Sequence, residues 1–318
     1  MPVGSLAALT GLTLSTNCGL TPEAERYLRL SMSRSFGRVV HATLDQRDPT
    51  APTGRIRAEI VRDERGRMRS SILEPEALKG NAILDDGRTM TVRLDREKLL
   101  LVQESPALAE GSLDARVELV RRNYRLSVGA GPRAFDRATV ILEARARYRG
   151  IESRRYLLDA ATGYPLRHDV IGPGGTENLF TVLSLRFADG TRRSTFRPFS
   201  RKDRQVITYR PAGHPKPGEA KARIGFEPAV PRELPFGFRI SGLALSDMAG
   251  LRSVVLRASD GLVKASIYQW ATTAADSAIG DGRSQSVGRR AGRTVMVVSD
   301  GSALARTRLL DAVLAAIR

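Results

Sequence analysis

Side chains able to do bond chemistry are few and far apart. The histidines are His41, His168 and His214, with no His-x-x-x-His spacing to bring two onto one metal, and the single cysteine, Cys18, rules out a Cys-x-x-Cys site and an internal disulfide. His41 and His168 read as polar residues on strand faces rather than as a working pair. Cys18 has no neighbouring motif that would activate a thiolate. Asp85-Asp86 could hold a cation, but the Gly87 that follows marks a hairpin turn, where acidic residues are common. Gly172-Pro173-Gly174-Gly175 joins strand to strand, and its proline removes an amide that a phosphate cradle would use. No Gly-x-Ser-x-Gly elbow, P-loop or dinucleotide fingerprint occurs. The sequence thus offers no catalytic residue, no metal site and no cofactor, and what remains is binding.

The elements that would position a binding surface are mostly strands. Residues 156–158, 165–171 and 179–187 are rich in β-formers and are separated by Asp159-Ala160-Ala161-Thr162-Gly163 and by the glycine-rich turn, which predicts a three-stranded antiparallel meander. In its middle strand Leu166, His168 and Val170 share one parity and Arg167, Asp169 and Ile171 the other, so one face can be buried and one wet. Thr21-Pro22-Glu23 opens a helix that ends near Arg34, with a strand over residues 35–44 after it. Hairpins follow over 55–63 and 67–73, then 82–84 and 90–94, with a further strand over 99–103. Residues 107–128 change to a helical period interrupted near Gly111, with Asp114 as a candidate N-cap, and residues 137–147 return to strand. The stretch 199–227 is poor in apolar residues and holds Pro211, Pro215 and Pro217, so it reads as a linker. Beyond it come a hairpin over 253–258 and 262–270, a strand over 289–298 and a helix over 303–317.

Two of these stretches carry a resemblance. Asp159-Ala160-Ala161-Thr162-Gly163-Tyr164-Pro165-Leu166-Arg167, set between strands and followed by a glycine-rich turn, resembles the late meander of LolA/LolB-like domains, and of MucB/RseB proteins in particular. Leu234-Pro235-Phe236-Gly237-Phe238 with Ser259-Asp260-Gly261-Leu262-Val263-Lys264-Ala265-Ser266-Ile267 resembles the small C-terminal domain of the same MucB/RseB family. The resemblance implies an α+β protein: a LolA-like open antiparallel β half-barrel plugged by helices over residues 22–200, a Pro-rich linker over 201–230 and a small α+β domain over 231–318. It also implies a non-enzymatic extracytoplasmic regulator of an envelope-stress sigma factor, which binds the extracytoplasmic domain of an anti-sigma factor and senses an acyl chain or lipoprotein in the half-barrel. By parity, Val40, Ala42, Leu44, Ile56, Ile60, Met90, Val92 and Leu94 are the candidates to line such a pocket, where each buried methylene of an acyl chain would contribute about 0.8 kcal/mol.

Charge sets the alternatives. The net charge is +17, and all but six of the 51 basic residues are arginine, a surface that suits anionic partners: nucleic acid, anionic lipid at a membrane surface, or an acidic protein segment. The cations alternate along strands, as in Arg55, Arg57 and Arg62 or Arg145, Arg147 and Arg149, which reads as a solvated sheet face. A nucleic-acid module therefore ranks last, lacking interleaved exposed aromatics, and a lipid or lipoprotein carrier of LolA type ranks second. Residues 3–14 are apolar enough for the core of an export signal but lack a basic start, so residues 1–20 read as a signal remnant or as disordered.

Overall fold

Alternating apolar and polar residues build two sheets in the computed structural model of the chain, which describes residues 21–48, 51–109, 111–209, 217–248, 251–273, 282 and 284–317. Cys18, His214 and the candidate signal remnant lie outside the described residues. The first unit begins with helix α1 (Pro22–Met32) and the strands β1 (Val39–Arg47), β2 (Arg55–Arg62), β3 (Met68–Glu74), β4 (Ala82–Asp85), β5 (Thr89–Leu94) and β6 (Leu99–Glu104). A short α2 (Pro106–Ala109) and α3 (Leu113–Asn123) come next, and then β7 (Tyr124–Ala130), β8 (Thr139–Ala146), β9 (Ser153–Asp159), β10 (Pro165–Gly172) and β11 (Gly175–Ala188). With β12 (Gln205–Tyr209) they form one twelve-stranded sheet in the order β12-β6-β5-β4-β3-β2-β1-β11-β10-β9-β8-β7. The end strands do not meet, so the sheet is an open half-barrel.

Helices plug its inner face. The Thr21 hydroxyl accepts the Ala24 amide at 3.2 Å and Pro22 supplies the first helical turn of α1, as its sequence requires. Tyr27 and Leu28 of α1 and Val117 and Val120 of α3 pack on Tyr124, Leu142, Ala144 and Leu158 of the sheet. Each aliphatic side chain so buried is worth about 1.5–3 kcal/mol. Arg29 bridges the two helices, 2.8 Å from Glu25 and 2.6 Å from Asp114, and Arg121 closes on Glu25 from the other side. The outer face at the other end, with Val39, Val61, Ala82, Leu84 and Leu100, is covered by Phe196 and Phe199. Their rings lie under the guanidinium groups of Arg67, at 4.7 Å, and of Arg69 and Arg93, at 5.2 and 5.1 Å.

The second unit is a five-stranded antiparallel sheet in the order β13-β14-β15-β17-β16, from β13 (Arg239–Met248), β14 (Leu251–Ser259), β15 (Lys264–Ala271), β16 (Gln285–Arg290) and β17 (Arg293–Ser299). Helix α5 (Ala303–Ala316), capped by Ser302, buries Leu309, Leu310 and Val313 against Leu256, Ile267, Val295 and Val297. The whole is α+β, as the sequence predicts.

Several boundaries differ from the sequence reading. The cap of α3 is Ser112, whose hydroxyl accepts the Ala115 amide at 3.2 Å, not Asp114, which instead meets Arg29. The helical reading of 107–128 fails at Tyr124, where Tyr124, Leu126 and Val128 turn one face inward as strand β7; a pattern of apolar residues two apart serves a strand as soon as β8 offers a ladder. The single strand over 289–298 is part of the hairpin β16–β17, turned by Ala291 and Gly292 at φ +47° and +70°. The stretch read as linker carries β12, which pairs in parallel with β6, and α4 (Pro217–Ile224), whose Ala220 packs on Leu245 and Val254.

Candidate binding cleft

The cross-strand register puts all eight sequence-predicted lining residues on one face of the large sheet. Val40, Ala42 and Leu44 pair with Arg62, Ile60 and Ala58, and Gln46 with Ile56. Ile60 pairs onward with Ser70, Ser70 with Ile83 and Ile83 with Val92, while Asp85 pairs with Met90 and Leu94 with Leu99. They divide by burial. Val40 and Ala42 are core, packed with Phe36, Tyr164, Leu166 and Val182, and Leu44 and Ile56 are also buried. Ile60, Met90, Val92 and Leu94 are half-buried, as are Ile72, Ile83 and Leu101 on the same face. The result is an apolar strip across β2 to β6, at the end of the half-barrel opposite α1 and α3.

Where this face approaches the second unit it becomes polar and opens into a cleft of about 1010 Å³. None of the eight residues lines that cleft; their neighbours on the same face, Gln46, Arg62, Met68 and Asp85, do. Its other walls are the end of α1, the start of β15 and the β17–α5 turn. Six cations line it, Arg34, Arg47, Arg62, Arg116, Lys264 and Arg306, against the carboxylates of Asp85 and Asp300.

The two units that frame the cleft are pinned by buried polar contacts. Tyr124 donates its hydroxyl to Asp260 Oδ2 at 2.7 Å, and the Leu262 and Val263 amides donate to Asp260 Oδ1 at 2.9 and 2.7 Å. Burial pushes the Asp260 carboxyl up from its ordinary value against the pull of those donors, and burial with the Asp260 charge pushes up the Tyr124 hydroxyl. Asn123 donates to the Asp260 carbonyl at 2.8 Å and to the Gly237 carbonyl at 3.2 Å. Gly261 sits at φ +107°, and a Cβ there would lie 2.7 Å from Val120 Cγ2 and 2.8 Å from Val120 N, so this close approach needs glycine. Ser302, the α5 cap, donates its amide to Glu152 at 3.1 Å.

Behind Tyr156, His168 and Asp300, which line the cleft, Arg154, on β9, is 0% exposed. Its Nη1 stands 3.7 Å from Asp300 Oδ2 and 3.5 Å from His168 Nε2, its Nη2 is 3.5 Å from the Asp300 carbonyl, and its Nε has no hydrogen-bond partner among the described residues. The His168 ring stacks on Tyr156 at 4.3 Å and meets Phe180 edge-on at 5.9 Å. Burial, with the Arg154 charge behind it, lowers the His168 imidazole to about 3, and burial raises the Tyr156 hydroxyl to about 12. His168 is therefore a neutral wall at neutral pH. His41 pairs with Val61 and Arg186 on the opposite sheet face, so the two histidines do not meet. Among the described residues no group of three His, Cys, Asp or Glu side chains could hold a metal ion.

Sequence reasoning missed Arg154, Asp300 and the cationic lining. The signal for Arg154 was its parity: it shares a strand face with Tyr156 and Leu158, where a charge is out of place. The site offers recognition by charge, hydrogen bonds and apolar surface.

Fold and cleft together define an α+β protein with an open antiparallel half-barrel and a smaller sheet-and-helix unit pinned to its rim. No family model and no curated protein matches the sequence. Among solved structures, a crystal structure of MucB superposes with a TM-score of 0.60 at 18% identity, over 92% of this chain and 98% of that one. A crystal structure of MucB in complex with MucA(peri) and the complex structure of Pseudomonas aeruginosa MucA/MucB each give a TM-score of 0.56 at 18% identity, over 90% of this chain and 96% of theirs. The chain has the MucB fold through both of its units.

Proposed function

We propose that this protein is an extracytoplasmic regulator of the MucB/RseB type. It holds the extracytoplasmic segment of a membrane anti-sigma factor in the cleft between its units, so governing an envelope-stress sigma factor, and it acts by binding rather than by chemistry. The observation that carries this reading is the superposition on MucB over 92% of the chain, an extent that must take in both units, together with the MucB structures that hold MucA. In this reading residues 22–200 and 231–318 act as two bodies, and the periplasm is the compartment. The test is a pull-down with the full chain as bait and the extracytoplasmic segments of the same genome's membrane anti-sigma factors as prey. Capture of one of them, with altered stress transcription on deletion of the gene, is the expected result; capture of none, with unchanged transcription, removes the proposal.

The half-buried apolar strip of Ile60, Met90, Val92 and Leu94 supports a second role, sensing or carrying an acyl chain or lipoprotein. An acyl chain laid on that strip removes apolar surface on both sides from water. Native mass spectrometry of the purified protein would then show bound acyl species, with transfer to acceptor vesicles if the protein is a carrier.

A further inference from the structure

The residue behind the cleft wall that the fold does not explain is Arg154. A buried guanidinium costs several kcal/mol in lost hydration unless it is closely paired. A charge-assisted N–H to carboxylate bond runs at roughly 2.7–2.9 Å. Every contact that Arg154 makes with Asp300 and His168 is longer, between 3.5 and 3.7 Å, and its Nε has no hydrogen-bond partner among the described residues. Asp300 belongs to the other unit, is 52% exposed, and also accepts the Lys264 amide at 3.2 Å, so it serves Arg154 at arm's length. The guanidinium lies behind Asp300 and the stacked Tyr156 and His168 rings, which line a cleft with six cations and two carboxylates on its walls, so that a shift of the exposed Asp300 side chain would open a path to it.

We propose that the cleft takes an acidic, extended peptide segment, and that one carboxylate of that segment replaces Asp300 as the partner of Arg154. This rests on the reading of the protein as a binder of a partner's segment and names the chemistry of that segment. The planar fork of Arg154 matches a carboxylate with two parallel N–H···O bonds. Ser266 and Ser284 add hydroxyls to the lining that can meet the amides of an extended backbone, whereas those of Ser31, Ser33 and Ser299 already bond to the chain's own backbone. A lipid tail placed here would strip water from the surrounding cations without replacing it, and a single-stranded nucleic acid would need open aromatic faces, whereas Tyr156 and His168 are stacked on each other. Because Asp300 and Arg154 come from different units, the exchange also loosens one of the contacts between them.

The experiment is fluorescence anisotropy on the full chain with a labelled peptide alternating glutamate and leucine. Its glutamine counterpart, an oligothymidylate and phosphatidylglycerol vesicles are the competing probes. The glutamate peptide binds, at least about tenfold more tightly than the glutamine peptide, and its affinity falls as salt rises. Asp300→Asn, which keeps an oxygen for the Lys264 amide and removes the competing charge, tightens the glutamate peptide several-fold, with the chain still folded by circular dichroism. Arg154→Met weakens it about tenfold. Equal binding of the two peptides, no effect of Asp300→Asn, or preference for oligothymidylate or vesicles overturns the inference. The two proposals fail separately. An anti-sigma segment that binds equally well with its carboxylates changed to amides overturns this inference alone, whereas absence of any anti-sigma segment that binds overturns the functional reading and leaves the synthetic-peptide result standing.

Discussion

Single residues set how firmly the two units are joined and how the cleft responds to pH. Tyr124→Phe removes one of the donors to a buried carboxylate, leaving Asp260 Oδ2 without its 2.7 Å partner. The expected cost is about 2 kcal/mol, measured as a lower midpoint in denaturant unfolding with an unchanged slope. His168 acts in the opposite sense to a surface histidine. In the folded protein it takes a proton only near 3, whereas in the unfolded chain it does so near its ordinary 6.5. Between those values the unfolded chain binds more protons, so stability is whole above 6.5 and is lost as the pH falls toward 3. His168→Phe keeps the stack and removes that slope: between pH 7 and pH 5 the variant loses about 2 kcal/mol less than the parent, read by denaturant titration at both pH values. Equal losses would show that the ring is hydrated and titrates normally.

At the scale of elements, α3 is the hinge pin of the molecule, with one face on the sheet through Val117 and Val120 and its end against the 259–263 turn of the second unit. Gly261→Ala drives a methyl into the Val120 side chain and backbone at a φ that alanine avoids, with an expected cost of about 3 kcal/mol or outright separation of the units. Small-angle scattering distinguishes the two, since separation raises the radius of gyration and strain alone does not. Leu28→Ala empties part of the plug and costs about 3 kcal/mol by thermal or denaturant unfolding. Much of this architecture was legible in the chain. Proline, glycine and Asp-Gly turns marked the meander and hairpins, and Thr21-Pro22 marked α1. What could not be read locally was Tyr124 leaving the helix for a strand and Gln205–Tyr209 joining β6, because both depend on a partner far away in sequence that completes the ladder.

At the scale of the whole molecule, one sequence motif falls in each sheet, and the strand parity chose eight residues that the register does place on one face. Strand parity could not tell which of them the barrel's curl would bury, and it could not foresee a cleft built where two units meet. Arg154 and Asp300 are 146 residues apart and come together only through docking. The +17 charge, which looked like a diffuse property of the surface, also lines that junction, and charge of this sign speeds capture of an anionic partner at low salt. A segment bound between the units as proposed would touch both bodies and stabilise their docked arrangement by the free energy of its binding.

The measurement that tests the central claim most directly is the affinity of the full chain for the extracytoplasmic segments of the same genome's membrane anti-sigma factors, by titration calorimetry, with Gly261→Ala as comparison. The account predicts one-to-one binding that is lost or reduced at least about tenfold when the units cannot dock closely. Binding of full strength in Gly261→Ala when its radius of gyration shows the units separated, or no binding by the parent chain to any such segment, would contradict it.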